Sequence, residues 1–323
     1  MKFSADSLKK LIKGACYFET NRGYLTAFKY CRAQLDMMCK EGYDTFWRDR
    51  AFFSPGIRLE IKTDSPYISF DYKANEGTDF HALSNSIDIW VNGSLYSVLT
   101  PDTCRGNLKI DLPEGEKTVC VYFPCDCQLS IENFTIEGKY KSVKDKGQRV
   151  LVIGDSITQG YGPEFSSASY FNELQRLTGY NMLNQGVGGY RCEPQDLMYV
   201  DGFKPHKIIT FLGTNWYDAP DQYDYEKATV EFYKRLTELY PDTHILAVSP
   251  LWRGDDGLNP ERFNWCVEIV KRECKKYKNI TPVDGFTLVP HVYECFCDKL
   301  HPNAYGCLLL ATNLYKEIKR VGF

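Results

Sequence analysis

Two different spacings of hydrophobic residues divide this chain. From about Ala15 to Gly138, apolar and polar side chains alternate in short runs: IRLEIKT, YISFDYK, SIDIWVNG, LKIDLP, KTVCVYFP and QLSIENFTIEG. Alternation sends every second side chain to the same face, so each run predicts a strand with one buried side. Turn residues separate the runs at Asp64-Ser65-Pro66, Asn92-Gly93 and Pro113-Glu114-Gly115. Asn-Gly between IDIWV and SLYSV predicts a tight hairpin. Many short strands with little helical pattern between them predict an antiparallel sandwich of jelly-roll type. The segment CRAQLDMMCKEGY is the exception and reads as a short helix.

The polar stretch KYKSVKDKGQ, Lys139 to Gln148, then interrupts the pattern, and a domain boundary is expected there, with residues 1–145 on one side and 146–323 on the other. Beyond it RVLVIG, YNMLNQ, HKIITFLG, THILAVSP and NITPVDG are compact apolar runs of the kind buried on both faces in a parallel sheet. Helical spacing fills the intervals. Phe232, Tyr233, Leu236, Leu239 and Tyr240 share one face, as do Phe263, Cys266, Val267, Val270 and Cys274 behind a cap at Asn259-Pro260. A last helix is expected over roughly 303–319. Strands alternating with helices predict a doubly wound α/β sheet, whose ligands lie beyond the carboxyl ends of its strands.

Four such strand ends or nearby loops carry candidate chemistry. Gly154-Asp155-Ser156 follows RVLVI, where a serine hydroxyl and its own N–H can face a ligand at a helix N-terminus. Taken alone, Asp155 and Ser156 read first as helix caps, and Thr158 stands where a GxSxG elbow needs glycine. Gly186, Gly188 and Gly189 follow YNMLNQ and can bring backbone N–H groups close to a ligand, or simply make a turn. Asn215 follows HKIITFLGT and has an amide to donate, or to satisfy its own turn. Asp298 precedes His301 by three residues, a spacing that lets a carboxylate orient an imidazole base. His81, His206, His244 and His291 lack such a neighbour in sequence and read as structural.

Taken in order, these four blocks resemble the SGNH, or GDSL-type, hydrolase family, over roughly residues 148–323. The resemblance implies a flavodoxin-like three-layer hydrolase domain with Ser156 as nucleophile, His301 as general base and Asp298 orienting it. The oxyanion hole it implies is made by the N–H groups of Ser156 and Gly189 and the side-chain amide of Asn215. Gly189 is taken because the last glycine of the block is the family's usual position. No cofactor is required. Many family members carry Asp after the oxyanion Asn, whereas this chain has Trp216, so a different substrate wall is expected. Trp216 and Trp252, with Tyr217 and Arg253, follow strand ends and are candidates for that wall, or for packing. A β-sandwich ahead of such a domain resembles the two-domain carbohydrate esterases, which implies a short acyl group, acetyl by preference, on a saccharide. Acyltransferase, lipase and thioesterase chemistry use the same parts, and a carbohydrate-binding protein with a degenerate hydrolase half is the rival of another class.

Composition narrows the partners. A formal net charge of −3 gives neither nucleic acid nor an anionic membrane a basic surface to bind. No run approaches the roughly 18 apolar residues that span a bilayer. The N-terminal MKFSADSLKKLIKGACYF lacks a signal-peptide core, so the sequence reads as cytoplasmic. Thirteen cysteines, many within apolar runs, fit a reducing compartment. Cys125-Asp-Cys127 and Cys295-Phe-Cys297 lack zinc-site spacing, so no metal is expected. The partner expected is a small-molecule or oligosaccharide ester, and a homo-oligomer is compatible with the sequence.

Overall fold

The computed structural model describes residues 1–145, 147–191, 193–217, 222–255 and 259–323, without the side chains of 222 and 223. The N-terminal half runs α1 (Ala5–Lys9), β1 (Ile12–Lys13), β2 (Tyr17–Asn21), β3 (Tyr24–Phe28), α2 (Arg32–Met38) and α3 (Thr45–Ala51). It continues through β4 (Arg58–Thr63), β5 (Tyr67–Ala74), β6 (Ile87–Val91), β7 (Ser94–Leu99), β8 (Arg105–Asp111), β9 (Lys117–Tyr122), β10 (Leu129–Ile136) and β11 (Tyr140–Ser142). These strands form two antiparallel sheets, one ordered β1-β4-β9-β6-β7 with β11 also on β4, the other β2-β3-β10-β5-β8. Alternation does what the sequence predicts. Leu59 and Ile61 of β4, Ile68, Phe70 and Tyr72 of β5, and Val119 and Val121 of β9 meet in one core between the sheets. Asn92 and Gly93 both take positive φ, 49° and 81°, the turn that matches the twist of a two-residue hairpin.

The C-terminal half runs β12 (Arg149–Gly154), α4 (Ser156–Gln159), α5 (Tyr170–Thr178), β13 (Asn181–Gly186), β14 (Lys207–Phe211) and α6 (Gln222–Leu239). It ends with β15 (His244–Val248), α7 (Pro260–Cys274), β16 (Ile280–Val283) and α8 (Ala304–Arg320). The sheet is wholly parallel in the order β13-β12-β14-β15-β16. Its strands bury both faces: Val150 and Val152 point to the layer of α5 and α8, Leu151 and Ile153 to that of α6 and α7. Asn259 caps α7, its side chain accepting from the Arg262 N–H, as the Asn-Pro pair predicts. The expected boundary falls beside Lys146, outside the described residues.

One feature was not legible as such. Among the described residues the connection from β13 to β14 holds a single 3-10 turn, Pro194–Asp196, and no α-helix. The apolar face near it, Leu151, Leu183, Val187 and Leu197, is covered by Tyr30, Leu35, Met38 and Ala51 from α2, α3 and the residue leading into them. The helix foreseen in CRAQLDMMCKEGY therefore belongs to the core of the parallel sheet, although the chain places it among the antiparallel strands.

Candidate active site

Strand β12 ends at Gly154, and the chain turns at once into the short helix α4. Asp155 caps it, its carboxylate accepting from the Ile157 N–H at 3.0 Å, and Ser156 opens the helix. As the first helical residue, Ser156 has an N–H with no acceptor within its own helix. Its Oγ lies 2.8 Å from Nε2 of His301, 145 residues on. The other imidazole nitrogen, Nδ1, lies 2.7 Å from Asp298 Oδ2. The second oxygen of Asp298 accepts from the backbone N–H groups of His301 and Leu300, at 2.8 and 3.1 Å. Partial burial opposes ionisation of Asp298, but the His301 side chain and these N–H groups outweigh it and hold the carboxyl well below the usual range. The loop that carries the pair closes on itself, Cys297 N–H donating to His301 C=O at 2.9 Å with Lys299 at φ 71°. Tyr161 sets its ring edge-on to His301 at 4.8 Å. Asp155 behaves oppositely to Asp298. It is almost fully buried, and desolvation pushes it up to about 6 despite the Ile157 N–H and the nearby His301 and Arg253.

The three candidate glycines separate by what their N–H groups do. Gly186 donates to Asn184 Oδ1 and Gly188 to Gln159 Oε1, each at 2.8 Å. Gly189, at φ 76°, has no acceptor for its N–H among the described residues. Asn215 gives one amide hydrogen to Tyr190 C=O at 3.1 Å, and the geometry of an NH₂ leaves it a second. Next to it the Trp216 indole donates to Arg191 C=O at 2.6 Å. The Asn215 turn is thus tied to the glycine loop by two bonds.

The two candidate wall tryptophans lie in different settings. Trp216 is buried in the core against Tyr225, its N–H already engaged, and offers a bound molecule little surface. Trp252 is half-buried, stacked on His291 at 5.3 Å and edge-on to Tyr293 and Phe296. Arg253 is held by both oxygens of Asp255 and reaches Thr214 C=O at 3.1 Å, steadying the Asn215 turn from below.

Sequence reasoning missed how much the N-terminal half contributes here. Lys29 Nζ, fully buried, donates to Gly186 C=O at 2.6 Å, and burial lowers it to about 7 even though Cys125 and Asp126 pull the other way. Tyr30 OH donates to Gln185 C=O at 3.2 Å, and the Gln185 amide donates to Lys29 C=O and Gln34 Oε1. Gln159, which holds Gly188, is itself anchored on Asp126 at 2.7 Å. A Cβ placed on Gly189 would stand 3.1 Å from Phe46 Cε1 and 3.4 Å from Trp47 Nε1, and one on Gly188 3.0 Å from Arg50. The only trace in sequence is DTFWRDR, an aromatic-basic cluster behind the Asp44 cap that breaks the strand period.

The profile of the GDSL-like lipase/acylhydrolase family matches residues 152–308. That match takes in just under half of the chain. Solved structures share the architecture over nearly the whole length at low identity. A protein from Bacteroides ovatus assigned as a GDSL-like lipase superposes at TM-score 0.77 with 20% identity, over 99% of this chain and 97% of its own. A salicylyl-acyltransferase from a tetracycline biosynthetic pathway gives 0.74 and 20%, over 96% and 94%. An acetyl xylan esterase from the rumen bacterium Butyrivibrio proteoclasticus gives 0.67 and 14%, over 100% and 99%. No curated protein matches the sequence. A parallel α/β sheet with antiparallel sheets ahead of it is thus a fold this chain shares with those structures. Among the described residues no helix is long and apolar enough to cross a membrane.

Proposed function

We propose that this protein is a serine esterase that removes acetyl groups from saccharides, with Ser156, His301 and Asp298 as its triad. The observation that carries the reading is the continuous chain of short contacts, 2.8 Å from Ser156 to His301 and 2.7 Å from His301 to Asp298. A serine hydroxyl is a weak nucleophile until a base removes its proton as it attacks. His301 takes that proton through Nε2, and Asp298, held ionised, fixes the tautomer and stabilises the imidazolium. Negative charge develops on the carbonyl oxygen, where the N–H groups of Ser156 and Gly189 and the free amide hydrogen of Asn215 receive it. Each such donor contributes about 3 kcal/mol when well placed. His301 then protonates the leaving alcohol, and a water repeats the sequence on the acyl-enzyme.

The saccharide and acetyl parts rest on the likeness to carbohydrate esterases of the same two-part build. Transfer to an alcohol other than water is the second reading, favoured by the salicylyl-acyltransferase, whose TM-score and identity to this chain are higher than those of the carbohydrate esterases. A reducing, cytoplasmic setting suits twelve described cysteines that are all unpaired. The test is hydrolysis of p-nitrophenyl acetate, butyrate and octanoate by wild type and Ser156→Ala. Acetate turnover that falls with acyl length, and by about five orders of magnitude in the variant, is expected. Equal rates in the two proteins would reduce Ser156 to a helix cap. Adding a sugar acceptor and finding ester product in place of acetate would favour the transferase.

A further inference from the structure

We propose that α3, supplied by the N-terminal half, is the wall against which the saccharide part of the ester lies, with Phe46, Trp47 and Arg50 as its contact residues. This rests on the esterase reading and names the residues that select its alcohol. Phe46 and Trp47 flank Gly189, 3.1 and 3.4 Å from the place a Cβ on that glycine would take, so a substrate whose carbonyl oxygen is held by the Gly189 N–H would lie close to them. Phe46 is an aromatic ring left 49% exposed at this point, while Ala51 and part of Trp47 anchor α3 to the core. The guanidinium carbon of Arg50 sits over its ring, 3.4 Å from the centre, so the two side chains present one continuous surface.

The donors on this surface lack acceptors. Arg50 gives one long bond to Phe46 C=O, and no carboxylate lies within ion-pair distance of it among the described residues. The indole N–H of Trp47 has no acceptor among them either. An aromatic face edged by unengaged N–H groups fits a molecule that combines C–H faces with oxygen acceptors along its rim, which is the make-up of a pyranose ring. A hydrocarbon acyl chain would cover the ring but leave the donors unmet. Charge argues further for a neutral sugar, because Asp126 lies close enough to Arg50 to feel its field and Asp49 precedes it on the helix. Arg50 also reaches toward Phe53, 5.9 Å from its guanidinium carbon, and Phe53 borders an open groove with Asp49, Asn75 and Asp126. That groove gives a chain of more than one sugar somewhere to continue.

The experiment compares kcat/KM for acetylated xylotriose with kcat/KM for p-nitrophenyl acetate in wild type, Phe46→Ala, Arg50→Met and Trp47→Phe. The ratio of the two should fall by about tenfold or more in the first two variants, through KM. Trp47→Phe keeps a ring and removes only the N–H, so a drop of roughly threefold is expected. Its conservative character keeps the test decisive if an alanine variant fails to fold. Equal losses on both esters would make α3 a mere support for the glycine loop and overturn the proposal, as would an unchanged ratio. If wild type cleaves neither ester, the esterase reading has failed on its own account. The wall is then decided by titrating Ser156→Ala with unesterified xylotriose and following tryptophan fluorescence. Saturable binding that is lost on adding Arg50→Met supports it, and no saturable change overturns it.

Discussion

The two sides of this site are built in opposite ways. Ser156, Asp298 and His301 all come from the C-terminal half and are fixed by close neighbours: Asp155 caps the serine's helix, and Asp298 is held by N–H groups two and three residues on. The glycine loop on the other side has distant supports. Lys29, Tyr30, Gln34 and Asp126, from between 33 and more than 150 residues away, fix Gln185, Gly186 and Gln159. The proposed nucleophile and base, held by local turns, keep their geometry wherever the turns form. The proposed oxyanion loop, braced from across the chain, depends on the whole molecule. Chemistry and its electrostatic support are therefore separable here by mutation.

The largest effect should come from the locally built side. Asp298→Asn keeps the loop but offers His301 the wrong partner, and kcat for p-nitrophenyl acetate should fall by about 10⁴. A loss under tenfold would show that His301 is oriented without it. Asn215→Ala removes one proposed oxyanion donor and its tie to Tyr190, and should cost about 10²–10³ in kcat with little change in KM. A change confined to KM would remove Asn215 from the transition state.

Asp155 separates stability from activity. Its folded value, about 6, lies above the ordinary carboxyl value, so the folded state holds a proton that the unfolded state releases between about pH 4 and 6. Wild-type stability should fall across that window relative to Asp155→Asn, by up to about 3 kcal/mol. Parallel denaturation curves for the two proteins at pH 4.5 and 7.5 would contradict this. The smallest effect belongs to the braced side. Lys29→Met leaves the Gly186 carbonyl without its donor and should lower kcat about tenfold by shifting the loop. An unchanged kcat would mean that the remaining bonds of Tyr30 and Gln34 suffice.

The same contrast explains what the sequence disclosed. Ser156, Asp298 and His301 carry their support within three residues, yet each motif alone reads as a helix cap or a surface pair, and they were singled out only as an ordered set. The strands and most helices were legible because burial on one or two faces writes a period into the chain. Asn215 and Gly189 were legible only as members of an ordered set, since a glycine turn and an amide are common. Trp216 follows a strand end just as a pocket residue would, and nothing in its neighbours distinguishes that from its place against Tyr225. Phe46, Trp47 and Arg50 were hidden for a different reason. Their partners, Gly188 and Gly189, lie some 140 residues downstream, and no spacing rule spans that distance.

The β13–β14 connection, whose described residues hold no α-helix, has a consequence for how this protein can be divided. Residues 30–51 act toward the parallel sheet as a subunit that happens to share its polypeptide. Cutting at the polar stretch near residue 145 would strip Leu151, Leu183 and Val187 of their cover and leave a sticky face on the released fragment. A chimera that grafts this hydrolase onto another leader must therefore transplant the segment around α2 and α3 with it, because the linker seen in the sequence is not a seam in the solid.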